Sequence, residues 1–219
     1  MSVPIIIGAR FSTYTRTIRM ALTHLNVPYQ LEKASPHSEL AFKHNPFGRI
    51  PSLLHNDKVI FETMAIRDYI DAQFSDKLTP KDLETKMKMT QMISILSDYV
   101  FHHVILNFAK YREACERQGK SGEELSSLLK PALIKAINII KTVEQMVPQS
   151  DFLCGNSLTW ADYFFYPVAA DIYVQPEKEE FIKASPKLFR WYKSFEMRKE
   201  AIQTYPGTVA DKKANKSNI

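Results

Sequence analysis

The chain has 219 residues, 45% apolar and 24% charged, an ordinary balance for a globular protein and enough length for one large domain or two small ones sharing an interface. Its net charge of +5 brings no basic face with interleaved aromatics, and three lysines against one aspartate after Ala210 supply +2 of it, so nucleic acid is not an expected partner. No run approaches the roughly 18 apolar residues of a membrane span, and Met1 to Ala9 lacks the basic start of a secretion signal, so no membrane is expected either. Two cysteines, Cys115 and Cys154, cannot build a disulfide framework, which points to a reducing, cytoplasmic setting.

Val3 to Ile7 is a short β-rich run of the kind buried on both faces of a sheet. Ser12 and Thr13 then precede a helical stripe at Tyr14, Ile18, Leu22 and Leu25, which Val27-Pro28 ends before an extended run over Tyr29 to Glu32. A short helix is expected between Ser35 and Lys43. Asn45-Pro46-Phe47-Gly48 is a turn, and Ile50-Pro51 after it is a bond that proline allows to be cis. Ser52 to His55 and Lys58 to Phe61 are two apolar runs joined by Asn56-Asp57, a hairpin signal. Glu62-Thr63 leads into another helix with Ile66, Tyr69, Ile70 and Phe74 on one face, Thr63 being placed to cap it. The order is β-α-β-α-β-β-α.

Phe74 to Thr85 is polar, holds Pro80 and reads as a linker, with Asp82 or Thr79 capping the next helix. Beyond it the pattern is helical throughout. A long helix runs to about Arg117, and a second, carrying Leu125, Leu129, Ala136, Ile140 and Val143, follows a short turn; Pro131 predicts a kink in it. Thr159 and Asp162 form a reciprocal cap in front of a helix that is apolar nearly all round. Ser185-Pro186 starts a further helix with Leu188, Trp191, Tyr192 and Phe195 inward.

The segment from Asn45 to Asp71, with Ile50-Pro51 before the hairpin and Glu62-Thr63 after it, resembles the N-terminal domain of the glutathione transferase superfamily, and the Thr159 cap resembles the family's buried sixth helix. The resemblance implies an α+β fold: a thioredoxin-like βαβαββα domain over residues 1–75, a linker at 76–84, an all-α helical bundle at 85–208, and a flexible basic tail at 209–219. It implies glutathione as co-substrate without a metal, a homodimer, and attack of the glutathione sulfur on an electrophile or a peroxide. Phe11 to Leu22 resembles the serine-type classes (theta, zeta and phi), in which a serine stands seven residues before the position of Arg19. Ser12 is then the catalytic residue, with Thr13 and Tyr14 as alternates; spacing alone allows Ser12 to be simply a helix cap. No cysteine lies near this loop, which disfavours the cysteine-type classes.

The same resemblance puts the tripeptide against His37, Arg49, Ile50, Pro51, Glu62 and Thr63. Ile50 would pair with its cysteinyl part as a sheet edge does, and Thr63 would take its γ-glutamyl carboxylate at a helix N-terminus. The second substrate would lie between the domains, with Phe11, Phe101, His102, Ile105, Phe108 and Tyr111 as a candidate wall, although such a stripe is more often core. Two other readings remain open: a non-catalytic binding or regulatory module on the same fold, and a zeta-like isomerase. The Ser-Ser-Cys run of the zeta class is here Ser12-Thr13-Tyr14.

Overall fold

A computed structural model describes residues 2–216. The chain divides into two units: one runs to Pro80 and takes in the chain from Phe195 onward, and the other is Lys81–Ser194. The return of the last segment to the first unit departs from the expectation of a helical domain that continues to residue 208.

The first unit holds β1 (Ile5–Gly8), α1 (Thr13–His24), β2 (Gln30–Lys33), α2 (Glu39–His44), β3 (Ser52–His55), β4 (Lys58–Phe61) and α3 (Thr63–Gln73). The sheet order is β2-β1-β3-β4. β1 pairs parallel with β2 and antiparallel with β3, and β3 pairs antiparallel with β4. Asn56 and Asp57 both take positive φ (48° and 60°), the conformation of a tight hairpin turn. Ile6, Ile7, Leu53, Ile66 and Ile70 are fully buried between sheet and helices; each such side chain contributes roughly 1.5–3 kcal/mol of transfer free energy.

On α1, Ile18 and Leu22 are buried as the stripe predicts, but so are Arg16 and Arg19. Their partners lie almost 190 residues away. Arg16 donates through Nε to Thr204 Oγ1 (3.2 Å) and through Nη2 to the Ala201 carbonyl (3.1 Å), and Arg19 donates to the Thr204 carbonyl (3.5 Å). Ala201 and Thr204 sit in a late helix, α9 (Lys199–Thr204), whose last carbonyls a cation satisfies well. The expected flexible tail is in part a further helix, α10 (Val209–Lys216), with Val209 and Ala210 buried; residues 217–219 lie outside the described residues. The tail's polar composition hid this, because among its described residues Val209 and Ala210 are the buried ones.

The second unit is built on α4 (Leu83–Arg117), α5 (Gly122–Met146), α6 (Trp160–Ile172), α7 (Lys178–Ala184) and most of α8 (Pro186–Phe195). Asp82 caps α4 by accepting the Thr85 N–H at 2.8 Å. Between Leu96 and Lys110 the helix widens to i→i+5 hydrogen bonding. By length and composition α4 could cross a membrane. It is instead a bundle helix, with Met89, Ile93, Val100, Val104 and Phe108 buried among its neighbours. Pro131 lies inside α5 without ending it.

At the centre of this unit Asp162, fully buried, forms the predicted capping box with Thr159. Its carboxylate accepts four hydrogen bonds: from the Leu153 N–H (2.9 Å), the Thr159 N–H (2.9 Å), the Thr159 hydroxyl (3.1 Å) and the Trp191 indole (3.1 Å). Burial pushes its pKa up to about 6, against the pull of those donors. The folded state therefore binds a proton more tightly than the unfolded chain between about pH 4 and 6, and stability from this group falls as pH rises through that window. Two units correspond to roughly 2–3 kcal/mol. Asp162→Asn removes the titration and turns an amide donor toward a set of donors. It should cost at least about 2 kcal/mol at pH 7, with the gap to wild type wider at pH 4 than at pH 6. Both tryptophans, Trp160 and Trp191, are buried in this unit, so urea melts followed by their fluorescence at each pH test the expectation.

Candidate active site

The sheet register gathers the loops that carry the candidate residues. Gly8 at the end of β1 pairs with Lys33 at the end of β2, Ile7 pairs with Ser52 at the start of β3, and Ser52 pairs with Phe61 at the end of β4. Because β3 runs against β1, the segment entering it lies at the same end of the sheet as the segments leaving β1, β2 and β4. Ser12, His37, Ile50-Pro51 and Glu62-Thr63 all belong to those segments. Residues scattered over fifty positions thus emerge at one end.

Ser12 is the N-cap of α1 (φ −79°, ψ 126°), and its Oγ accepts the Thr15 N–H at 3.3 Å. A hydroxyl that accepts a bond in this way is polarised toward donating its own proton, and it sits where the amides of the first helical turn converge. The cap and the catalytic role expected of Ser12 are therefore compatible. Thr13, the first residue of α1, is buried, and Tyr14 is half-buried with a partner of its own. Gly8 brings helix and strand together: a Cβ there would stand 2.6 Å from Thr15 Oγ1. Cys154 is buried and its thiol is pushed up to about 11 by desolvation, so it is not an activated nucleophile, and Cys115 is buried against Leu125 and Leu129.

The Ile50-Pro51 bond is cis, and Pro51 is buried. The turn before it is closed by the Asn45 side chain, which accepts the Phe47 N–H at 2.9 Å, and by the positive φ of Gly48 (64°). The Gly48 carbonyl accepts the His37 N–H at 2.7 Å, tying the loop after β2 to the loop before β3. His37 and Arg49 are both exposed.

Thr63 does not cap α3, as its sequence position suggested; it is the first helical residue. Glu62 holds the cap position with φ 65° and ψ 122°, and no side chain bonds to the first turn. A non-glycine residue held there is strained, a state that persists where surrounding structure imposes it and that clusters at ligand sites. The first helical bond is Ile66 N–H to the Glu62 carbonyl (3.0 Å), so the amides of Thr63, Met64 and Ala65 precede the helical ladder and remain available for an anion. No local composition rule signals the positive φ of a glutamate.

The candidate wall for a second substrate is divided. Phe11 lies in the turn before Ser12, in the first unit. In the second unit Phe108 is fully buried against Phe181 (ring centroids 5.6 Å) and Ile105 is buried, so these two are core. Phe101 is half-buried, Tyr111 is exposed, and His102 is exposed and meets His103 edge-on at 4.9 Å. The widened register of α4 turns its side chains away from a 3.6-residue repeat, which is why a stripe read at normal spacing mixes core with surface.

Comparison with known proteins places these features in a family. The glutathione S-transferase N-terminal domain model matches residues 6–78, and the glutathione S-transferase C-terminal domain model matches residues 112–194. Glutathione S-transferase U7 of Arabidopsis thaliana is 28% identical over 198 residues, covering 86% of this chain and 81% of that protein. Among solved structures, a glutathione transferase homolog from Drosophila mojavensis with bound glutathione superposes with a TM-score of 0.80 at 23% identity, over 98% of this chain and 96% of that one. Glutathione transferase F7 of Populus trichocarpa gives 0.79 at 19% identity, over 94% and 99%. With matching models on both units and the fold shared along nearly its whole length, the chain belongs to the glutathione transferase superfamily.

Proposed function

We propose that this protein is a cytoplasmic, homodimeric glutathione transferase that binds glutathione at the sheet end of its first unit and ionises the thiol with the Ser12 hydroxyl. The observation that carries the reading is the convergence, at one end of one sheet, of a hydroxyl at a helix N-terminus, a cis-proline loop and the uncapped start of α3. Each matches a different part of the tripeptide. The sulfur accepts a hydrogen bond from Ser12. The backbone beside Pro51 pairs with the cysteinyl amide as a strand edge would. The γ-glutamyl carboxylate meets the amides of Thr63 and Met64 with the Thr63 hydroxyl, while Glu62 faces the ammonium. His37 and Arg49 supply cationic or polar contacts to the glycyl end.

The energetics are adequate. A free thiol has a pKa near 8.5, and only the thiolate attacks well. Lowering that value by about two units takes roughly 2.7 kcal/mol of preferential stabilisation. One hydrogen bond to a charged acceptor contributes about 1.5–3 kcal/mol, and the helix terminus adds up to about 1. The thiol proton passes to solvent, and the thiolate attacks an electrophilic carbon, forming a C–S bond as the leaving group departs with its electron pair. With a peroxide the O–O bond breaks, the released alkoxide takes a proton, and a second glutathione converts the sulfenic acid to the disulfide and water. Bound glutathione in the Drosophila mojavensis relative supports the choice of co-substrate.

Ser12→Ala should lower the conjugation rate with chloronitrobenzene at least about tenfold while glutathione affinity stays within about threefold, because only the sulfur loses a partner. Equal activity in the variant would transfer the role to Thr13, Tyr14 or the backbone. Glu62→Ala should weaken glutathione binding by about tenfold, roughly the strength of one charge-assisted contact. Undiminished retention on immobilised glutathione would refute that assignment.

A further inference from the structure

The turn that delivers Ser12 is held from outside by the last segment of the chain. Arg10 Nη1 donates to the Pro206 carbonyl at 3.5 Å. Gly207, at φ 82°, lies so close to the Arg10 stem that a Cβ on it would stand 2.8 Å from Arg10 Cδ and 3.1 Å from Arg10 Cβ. The Lys212 ammonium lies over the Phe11 ring, 5.1 Å from its centroid. The segment is itself braced: the Gly207 N–H donates to Asp211 at 2.7 Å, the Asp211 N–H donates to Thr208 at 3.2 Å, and Asn215 donates to Asp211 at 3.1 Å. Its inward residues Thr208, Val209 and Ala210 are buried, and α9 just before it is fixed by Arg16 and Arg19.

We propose that Pro206, Gly207 and Lys212 form a clasp on the Arg10-Phe11 turn and so position the Ser12 hydroxyl for the glutathione sulfur. Turns between strand and helix carry few bonds of their own. This one has the Ser12 N–H to the Ala9 carbonyl (3.1 Å) at its exit, and the clasp takes hold of its exposed Arg10 and half-buried Phe11. A hydroxyl displaced by a fraction of an ångström still caps α1 but aims its proton poorly. Gly207, Pro206 and Lys212 are thus positioning residues that act through Arg10 and Phe11, without touching the tripeptide. Arg10, Lys212 and Asp211 are the charged groups of the clasp, and Asp211 is occupied by Gly207 and Asn215.

The inference rests on the transferase reading and is tested apart from it. Gly207→Ala pushes a methyl into Arg10 without altering any charge. Two readouts apply to the full-length chain: the thiolate ultraviolet absorbance of bound glutathione titrated against pH, and the pH profile of kcat/KM. The clasp predicts that the thiol inflection rises by about half a unit in Gly207→Ala. Lys212→Gln should raise it too, and the rise should persist at high salt, where the loss of a distant charge alone is screened. An unchanged inflection in Gly207→Ala, or a Lys212→Gln shift that vanishes with salt, would overturn the clasp while leaving the transferase reading intact. Should Gly207→Ala fail to fold, the Lys212→Gln titration decides alone. A wild-type chain whose bound thiol titrates no lower than free thiol would refute the transferase reading itself, and the clasp with it.

Discussion

One constraint organises the first unit: β3 enters the sheet beside β1 and against it. A parallel neighbour would carry its entering segment to the opposite end. Antiparallel pairing of Ile7 with Ser52 brings the cis-Ile50-Pro51 loop to the end where β1 delivers Ser12 and β4 delivers Glu62. The tight Asn56-Asp57 hairpin preserves this arrangement, since only a short turn keeps β4 in register with β3. The close approach permitted by Gly8 then fixes how α1 stands at the end of β1. The gathering of the candidate residues is a consequence of strand order before it is one of side chains.

Much of this was legible in the sequence because its signals are local. A hairpin dipeptide, an Ile-Pro before it, a hydroxyl ahead of an amphipathic stripe and a Thr-x-x-Asp box each act over a few residues, and the structure bears them out in the Asn56-Asp57 turn, the cis bond, the Ser12 cap and the Thr159–Asp162 pair. What escaped is non-local. Nothing within α1 signals that Arg16 and Arg19 will be buried against the carbonyls of α9, which come from far along the chain. The tail reads as flexible because its composition is polar and basic, whereas α10 buries Val209 and Ala210. Glu62 gives no compositional hint of its left-handed φ, and the widened turns of α4 defeat a fixed helical period, so Phe108 moves from a wall to the core.

Asp162 and Arg16 show two ways of burying a charged group. In the helical unit a carboxylate is surrounded by four donors, and the cost is visible as a pKa held up by desolvation. In the sheet unit the Arg16 and Arg19 guanidinium groups are buried against carbonyls and a hydroxyl, where the charge cannot be relieved by deprotonation. Both arrangements are weak sources of net stability, yet expensive to break, because removal of one partner strands the other. They tie distant segments together: Asp162 joins the loop at Leu153 to α8, and Arg16 joins α1 to α9. The second of these ties brings the chain's end to the turn before Ser12.

The central claim is that the Ser12 hydroxyl contacts the sulfur that it ionises. A crystal structure with glutathione bound measures this directly. The account predicts the sulfur within about 3.0–3.5 Å of Ser12 Oγ, with the γ-glutamyl carboxylate on the first amides of α3. A sulfur placed instead on Thr13 or Tyr14, or a tripeptide bound away from this end of the sheet, would contradict it.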